Sequence, residues 1–339
     1  MFFRRRRGRR DPSAAIEAFW RWWATARPRA EKSFAGVADD RLVAEMGTRV
    51  SAIHPDLEWE FTAGTDSEHL LVVTAAGSPD LRPLTERWRR AAPPPDAVFG
   101  YASSRPGHPE ALDGTLAYGP HEIDLDLVRF AAETDEDVVH VQVWHPMFPR
   151  LEEGARTQLA FLCLDWLLGE DAVEIWVGEI AVAQAVGPSL TGPQLAALVT
   201  GLKPAAGEEE RWCNLTGTRH GKPLIAMAQT PLSPARWPGR DLHIRVDVPY
   251  RSRDDNGFPG AGALPALHAL EDRIAEFADG AVLVAHETCD GVRTTHLYTD
   301  RRAAAHALEP LLASWPDGRV KLTVTEDPRW KAVAHLRRC

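Results

Sequence analysis

The chain has 339 residues, of which 44% are hydrophobic and 26% are charged, and its formal net charge is −9. This composition is ordinary for a globular protein, and the length exceeds the roughly 250–300 residues at which a single core stops growing, so two domains are predicted. No run of about 18 apolar residues occurs, so no membrane-spanning helix is predicted.

The first ten residues differ in charge from the rest of the chain. They hold six arginines and no acidic residue, so the remainder carries a net charge of −15. Charge blocks of this kind usually stay disordered, and residues 1–11 are therefore predicted to form a disordered basic arm. No apolar segment follows the arginines, so the arm does not resemble a secretory signal. The acidic body would repel a phosphate backbone, which argues against nucleic-acid binding by the body.

Residues 12–185 are predicted to form a first domain of helices and strands. Asp11 and Pro12 fit an N-cap and the first position of a helix, whose apolar stripe continues until Pro28. Further helices are predicted at 37–53, 79–92 and 158–168. Alternating or short apolar runs predict strands at 57–61, 70–74, 98–102, 122–130, 138–145 and 173–182.

Residues 186–210 combine a short helix at 194–202 with prolines and an acidic run, which is typical of a linker, so the domain boundary is predicted there. Residues 211–339 then form the second domain. Its helices are predicted at 264–278 and 301–314. Its strands are predicted at 212–216, 224–229, 242–248, 281–288, 293–298 and 319–325, with a hairpin turn at Asp290-Gly291.

The order helix–strand–strand–helix–strand occurs twice, at 37–102 and at 264–325. This repetition is consistent with two copies of one ferredoxin-like half. Strands that are joined by hairpins pair antiparallel. The predicted fold class is therefore α+β, with two domains, mainly antiparallel sheets and a ferredoxin-like C-terminal domain. Helices are expected to cover one face of each sheet and to leave the other face open.

Several short motifs of the second domain occur in an order and spacing that are typical of one family. They are Gly257-Phe258-Pro259, Leu270-Glu271-Asp272, Glu287-Thr288, Asp290-Gly291-Val292-Arg293, Tyr298-Thr299-Asp300 and Asp327-Pro328-Arg329-Trp330. With these motifs the segment resembles a bacterial domain of unknown function, DUF695, and is distantly similar to the RraB-like regulators of ribonuclease E. The resemblance implies a ferredoxin-like fold. It implies no activity, because the family has none established and no active-site motif is shared.

Four carboxylates alternate with apolar residues in predicted strands of the first domain: Glu58, Glu60, Asp124 and Asp126. Alternation places each pair on one face of its strand, opposite the core. Two carboxylates that lie close together could act as acid and base, as in glycosidases. A solvated acidic sheet face is the simpler interpretation, and such a face could also attract a partner protein with a basic surface.

Two histidines, His286 and His296, lie on adjacent strands of the predicted hairpin. If they are neighbours across the turn, they could bind a metal or transfer protons. A polar contact across the strands of an open sheet face is the favoured interpretation.

Four further candidates belong to the motifs that carry the resemblance: Arg293, Tyr298, Asp327 and Trp330. Asp327 and Trp330 follow the last predicted strand. The simplest role of Pro328 and Trp330 is to hold the end of the chain against the core.

No metal or cofactor is predicted. Gly257, Gly260 and Gly262 precede a helix and could cradle a phosphate, but the Lys-Ser/Thr of a P-loop does not follow them, so a helix lead-in rich in turn residues is favoured. The four cysteines lie far apart without CxxC spacing, which argues against zinc and thioredoxin-type chemistry. Reduced thiols and a cytoplasmic location are therefore expected.

These observations favour a non-catalytic partner-binding or regulatory protein that acts through an acidic surface or an open sheet face. The expected partner is another protein with a basic surface, and a nuclease inhibitor would be a special case. The alternative is an enzyme, a hydrolase with a dispersed active site, because active sites often leave no local motif.

Overall fold

The computed structural model describes residues 12–108, 110–185, 187, 189–204, 211–277 and 280–337. The predicted basic arm and the acidic run at 208–210 lie outside the described residues. The chain divides into two compact units, Met1–Arg105 and Pro106–Cys339. The described part of the predicted linker lies inside the second unit, because helix Gly192–Leu202 buries Leu195 and Val199 in the core of that unit.

The described residues of the first unit form three helices and a three-stranded sheet. Its elements are α1 (Pro12–Phe34), α2 (Asp40–Ile53), β1 (Glu58–Ala63), β2 (His69–Thr74), α3 (Arg82–Arg90) and β3 (Phe99–Ala102). β1 and β2 pair antiparallel, whereas β2 and β3 pair parallel. Phe19, Trp23 and Trp88 are fully buried against the sheet, and the ring of Trp88 stacks on Trp20 at a centroid distance of 4.7 Å.

Helix α1 continues past the point at which the sequence predicted its end. It runs through Pro28 to Phe34, and Ala26 and Ala30 are buried on either side of the proline. A proline inside a helix costs about 3 kcal/mol because it removes a hydrogen bond and crowds the preceding turn. Burial of the following turn against the core offsets that cost, so tertiary packing overrides the local signal.

The second unit begins with two small sheets and three helices. Their elements are β4 (Thr115–Tyr118), β5 (His121–Asp124), β6 (Arg129–Asp135), β7 (Val138–Trp144), α4 (Glu153–Leu168), α5 (Glu170–Trp176), β8 (Val177–Val182) and α6 (Gly192–Leu202). β4 and β5 form a hairpin. The order of the other sheet is β6-β7-β8, in which β7 and β8 pair parallel.

Two predicted strands of this region are shorter than expected. The strand predicted at 122–130 is interrupted by a 3-10 turn, Leu125–Leu127, and the strand predicted at 173–182 begins only at Val177. In the second case Gly169 ends α4 with a φ of 84°, and α5 follows it directly. The apolar residues of 173–176 are therefore helical, which a short apolar run alone does not distinguish from a strand.

The remainder of the second unit is a six-stranded antiparallel sheet with two long helices. Its elements are β9 (Trp212–Arg219), β10 (Lys222–Gln229), β11 (Leu242–Pro249), α7 (Leu264–Phe277), β12 (Val282–Cys289), β13 (Val292–Thr299), α8 (Arg302–Ala313) and β14 (Lys321–Glu326). The strand order is β14-β11-β13-β12-β10-β9. The strands β11 to β14 have the 4-1-3-2 order of a ferredoxin-like fold, and β10 and β9 extend it at one edge. The α+β class and the ferredoxin-like prediction are confirmed.

Both faces of this sheet are covered over its central strands. α7 and α8 bury Ile244, Val246 and Leu297 on one face. The sequence predicted that the opposite face would be open, but the 3-10 segment Lys331–Leu336 and Trp330 cover it, because Ala226, Ala228 and Tyr298 form an apolar cluster there. Among the described helices, none combines the length and the apolar character needed to cross a membrane.

Candidate functional site

The sheet β6-β7-β8 has one buried face and one open face. Strand alternation turns Phe130, Val139 and Val143 into the core. Seven of the opposite side chains form the surface that we call the acidic face, and Arg129, Val138 and Trp144 flank them on the same side of the sheet. The members of the acidic face are Ala131, Glu133, Asp135, His140, Gln142, Glu179 and Ala181. Three carboxylates thus lie on one small sheet surface.

His140 occupies the centre of the acidic face and is fixed by the neighbouring strand. Its Nδ1 accepts a hydrogen bond of 2.9 Å from the backbone N–H of Glu179. Gly178 permits this approach, since a Cβ there would lie 2.8 Å from the imidazole. With Nδ1 as acceptor, the neutral ring carries its proton on Nε2, which lies 3.7 Å from a carboxylate oxygen of Asp135.

The acidic face is concave. Its surface forms a hollow of about 600 Å³ that is lined by Glu133, Asp135, His140 and Glu179. A separate cavity of about 820 Å³ lies in the first unit. A second hollow of about 440 Å³ continues the hollow of the acidic face past Glu136, and Arg337 also lines this second hollow. Within the described residues, Glu133, Glu136 and Glu179 are exposed and form no ion pair. The hollow therefore presents carboxylates that are free to meet a cation.

Asp137 differs from these carboxylates because it is already neutralised. It forms an ion pair with Arg211 and accepts a hydrogen bond of 2.7 Å from the hydroxyl of Thr230. Sequence reasoning missed the acidic face, because it left residues 131–137 between two predicted strands. The signal was the acidic run Glu133-Thr134-Asp135-Glu136-Asp137 at a hairpin, next to a strand with alternating valines.

The four carboxylates that the sequence singled out do not form one site. Glu58 and Glu60 share a face of β1 in the first unit, as predicted, and Glu60 forms an ion pair of 2.8 Å with Arg105. Asp124 and Asp126 lie in the second unit and do not share a strand. The side chain of Asp124 instead caps the 3-10 turn by accepting the N–H of Asp126 at 3.2 Å. A capping aspartate explains the interruption of the predicted strand.

His286 and His296 are not neighbours. His286 pairs with Thr295 across the hairpin, and His296 pairs with Ala285, so the two rings lie on opposite faces of the sheet. The two histidines therefore form neither a metal or proton-transfer pair nor the cross-strand polar contact that the sequence favoured, because the register differs by one residue from the one that either would require. In the described residues, no cluster of three or more His, Cys, Asp or Glu side chains is arranged to hold a metal ion.

A buried ion pair occupies the helix-covered face. Arg293 donates two hydrogen bonds, of 2.8 and 2.9 Å, to the carboxylate of Glu271 on α7. It also donates to the hydroxyl of Thr288 at 3.0 Å. The Nδ1 of His286 lies 3.4 Å from Glu271, and its ring stacks against Trp212. Burial lowers the pKa of His286 to about 4, so the ring is neutral at physiological pH.

A second polar cluster occupies the opposite face. His243 and His296 share a hydrogen bond of 2.9 Å between Nε2 and Nδ1. Glu287, which is 2% exposed, contacts Arg219 and His335, and its carboxylate lies 4.0 Å from the otherwise unpartnered Nε2 of His296. Burial lowers the pKa of His243 to about 4 and that of His296 well below its ordinary value. Both rings are neutral and inaccessible to a substrate.

Tyr298, Asp327 and Trp330 hold the end of the chain. The hydroxyl of Tyr298 donates to Asp327 at 2.8 Å, and Asp327 accepts the backbone N–H groups of Lys331 and Ala332 at 2.9 Å each. Trp330 is fully buried, donates its indole N–H to the carbonyl of Arg240 and stacks on Tyr298. These contacts pack the described end of the chain against the sheet, and a packing role for Trp330 stays a prediction.

Comparison with known proteins gives one finding. Residues 210–335 match the family of unknown function DUF695. The matched segment contains both polar clusters, all six strands of the large sheet and the buried Trp330, so the motifs noted in the sequence lie in the framework of the DUF695 segment. The acidic face lies outside it. No curated protein and no solved structure matched the chain in the corresponding searches.

One cysteine of the DUF695 segment differs from expectation. Cys213 on β9 is disulfide-bonded, so the prediction of reduced thiols is wrong for this residue. Cys163 and Cys289 are free thiols. Burial raises the pKa of Cys163 to about 12, which makes this thiol unreactive.

Proposed function

We propose that the protein is a non-catalytic partner-binding or regulatory protein whose acidic face docks a basic segment of another protein. The observation that carries the proposal is the concave, open surface on which Glu133, Asp135 and Glu179 stand exposed. Solvated carboxylates of this kind have little to contribute to the stability of the fold. They can contribute to association, because a concave surface of one charge attracts and orients a ligand of the opposite charge.

The partner is a basic protein segment rather than a nucleic acid. The acidic face would repel a phosphate backbone. Lysine and arginine side chains can each reach a carboxylate while their aliphatic parts contact Ala131 and Ala181, which lie among the acids. A docked segment would therefore gain both charge pairing and apolar contact.

The enzyme hypothesis has less support. The histidines whose pKa values are lowered most belong to the two clusters of the large sheet, and the side chains of His286 and His296 are 15% and 3% exposed. A catalytic acid or base must reach its substrate within hydrogen-bond distance. These rings instead contact protein groups on both sides, which is the arrangement of a structural network.

The proposal is tested with a double charge reversal, Glu133→Lys with Glu179→Lys. The probe is a short fluorescent peptide in which lysine alternates with serine, and its binding is followed by fluorescence anisotropy at physiological ionic strength. We expect the reversal to weaken binding at least about tenfold, which corresponds to about 1.4 kcal/mol.

The matched control is Glu122→Lys with Glu276→Lys, which changes the net charge equally at exposed positions outside the acidic face. Equal weakening by both double variants would show that only the net charge attracts the peptide. That result, or an absence of binding by the parent protein, would contradict the proposal.

We also propose that the protein is cytoplasmic and that it is distantly related to the RraB-like regulators of ribonuclease E. One observation weighs against the location, since Cys213 is disulfide-bonded and disulfides are rare in cytosolic proteins. Alkylation of Cys213 in lysate that has not been reduced tests this point. Rapid labelling of its thiol would support the cytoplasm, and protection until a reductant is added would oppose it.

A further inference from the structure

The free edge of β8 borders the acidic face. The sheet ends at β8 among the described strands, whereas the opposite edge, β6, is engaged by Leu190. Phe130 and Leu190 exchange two backbone hydrogen bonds there, of 3.0 and 2.6 Å. The sequence of β8, Val-Gly-Glu-Ile-Ala-Val, contains neither the proline nor the lysine that commonly protects an edge strand.

The backbone of β8 has a side that faces away from β7. Ala183 donates its N–H to the carbonyl of Val143 on β7 at 2.9 Å. Backbone polar groups alternate in direction along a strand, so the amides of Ile180 and Val182 are directed at the open edge. An edge of this kind is a template for the backbone of an additional strand.

A groove lies on the other side of the same edge, between β8 and α4. It has a volume of about 360 Å³, and its apolar wall is formed by Ala160, Phe161, Ile180 and Val182, while Glu153, Arg156, Thr157 and Gln184 line the rest. Phe161 is 44% exposed, although its neighbour Ala160 is buried in the core. The Nε of Arg156 is buried and has no hydrogen-bond partner among the described residues, so it can donate to a carbonyl oxygen placed in the groove.

We propose that a partner segment binds by adding a β-strand to the free edge of β8, and that the segment alternates basic and apolar residues. The inference rests on the proposed function and specifies how the acidic face is used. Side chains of a strand alternate between its two faces. One set would therefore lie beside Glu179 on the acidic face, and the other would enter the groove against Phe161.

The alternation follows from the different chemistry of the two sides. On the acidic face, Glu133 and Glu179 form no ion pair with any described residue, and the face therefore selects lysine or arginine. One wall of the groove is formed by Phe161, Ala160 and Ile180, against which an aliphatic side chain makes apolar contact, whereas polar side chains, among them Arg156, line the remainder. A uniformly basic segment would place every second charge against Phe161 and near the guanidinium of Arg156, which is unfavourable. The occupant is thus an extended segment with a period of two, rather than a helix or a folded basic surface.

The test compares short synthetic peptides by fluorescence anisotropy with the full-length protein. The first peptide alternates lysine and valine, and the second contains the same residues in two blocks. Two further versions of the alternating peptide carry N-methyl groups on every second backbone amide. One version is methylated at the odd-numbered residues, and the other at the even-numbered residues, so each blocks one edge of the peptide. We expect the alternating peptide to bind at least tenfold more tightly than the block peptide. We expect methylation to abolish binding in one parity alone, because only one edge of the peptide meets β8.

A protein variant tests the groove. Phe161→Ser should weaken binding of the alternating peptide severalfold and leave the lysine–serine peptide unaffected. The matched control is Phe277→Ser, which removes a phenylalanine that is 50% exposed on α7. Circular dichroism verifies that both variants are folded.

The outcomes separate this inference from the proposed function. If both methylated peptides bind like the parent peptide and binding still depends on Glu133 and Glu179, strand addition is wrong and charge-based docking stands. If no basic peptide binds in a manner that depends on the acidic face, the proposed function itself is wrong. Binding that depends on peptide alternation, on one methylation parity and on Phe161 supports strand addition.

Discussion

At the scale of single residues, burial determines what the histidines can do. His243 and His296 share a hydrogen bond inside the large sheet, and His286 lies beside Glu271 on its other face. The sequence showed which histidines lie on adjacent strands, but it did not fix the register. A shift of one residue moves a side chain to the opposite face, so proximity along a hairpin does not establish contact.

The first prediction concerns the pH dependence of stability. Burial lowers the pKa of His243 from its ordinary value of 6.5 to about 4 in the folded protein, so the unfolded chain binds protons more readily. The contribution of the neutral His243 to the free energy of unfolding is therefore complete above about pH 6.5 and is lost as the pH falls towards 4. The free energy of unfolding should fall by up to about 1.4 kcal/mol per pH unit for each histidine that titrates in this way. Urea unfolding at a series of pH values measures this slope.

His243→Gln should reduce that slope, whereas His306→Gln on the surface of α8 should leave it unchanged. An identical slope in the parent and in His243→Gln would contradict the prediction.

The second prediction concerns Trp330. Its indole is fully buried, stacks on Tyr298 and donates to a backbone carbonyl. Trp330→Ala should cost roughly 3–5 kcal/mol in the free energy of unfolding, because it removes a large buried side chain. Trp330→Phe keeps most of the packing and loses the hydrogen bond, so it should cost less. A Trp330→Ala variant that is fully stable but no longer binds a partner would show that the residue is a functional contact.

At the scale of elements, local signals located most helices and strands of the second unit. Alternation of apolar residues predicted the strands of the large sheet. The dipeptide Asp290-Gly291 predicted its hairpin turn, in which the two residues have positive φ angles of 46° and 80°. Local signals failed where packing or a single glycine decided the outcome. Pro28 did not end α1, and Gly169 separated two helices where a strand was predicted.

The third prediction compares two glycines that flank α4. Gly169 has φ 84° and ψ 151°, a conformation that is essentially restricted to glycine, so Gly169→Ala should destabilise the protein by about 1–3 kcal/mol. Gly154 lies in the first turn of α4, where an added Cβ would meet no atom within 4 Å, so Gly154→Ala should stabilise by up to about 1 kcal/mol. Unfolding in denaturant measures both changes. If both substitutions changed the free energy of unfolding in the same direction, the different backbone requirements of Gly169 and Gly154 would be contradicted.

At the scale of the whole molecule, the sequence predicted two units of α+β structure but not the position of their division. The prediction relied on the prolines and acidic residues of 186–210, whereas helix α6 of that stretch belongs to the second core. The ferredoxin-like order of the C-terminal sheet was predictable from the succession of its elements. The acidic face was not, because β8 is distant in the chain from the β6-β7 hairpin and pairs parallel with β7 across the intervening α4 and α5.

The fourth prediction follows from the division. The buried clusters of the described residues lie within Met1–Arg105 or within Pro106–Cys339, and none contains residues from both. Calorimetry should therefore resolve more than one unfolding transition. Trp23→Ala should lower the midpoint of one transition and Trp330→Ala that of another. A single transition that both variants shift equally would show that the units unfold together.

The stacked indoles of the two units provide a natural optical label for each. In the first unit Trp20 lies on Trp88 at 4.7 Å with an angle of 27° between the rings, and in the second Trp237 lies on Trp330 at 5.6 Å and 16°. Indoles that are this close couple their electronic transitions, and such coupling produces paired bands of opposite sign in circular dichroism. Replacing one ring of a pair removes the bands of that unit alone. The loss of each unit's tertiary structure can then be followed separately, without any added dye.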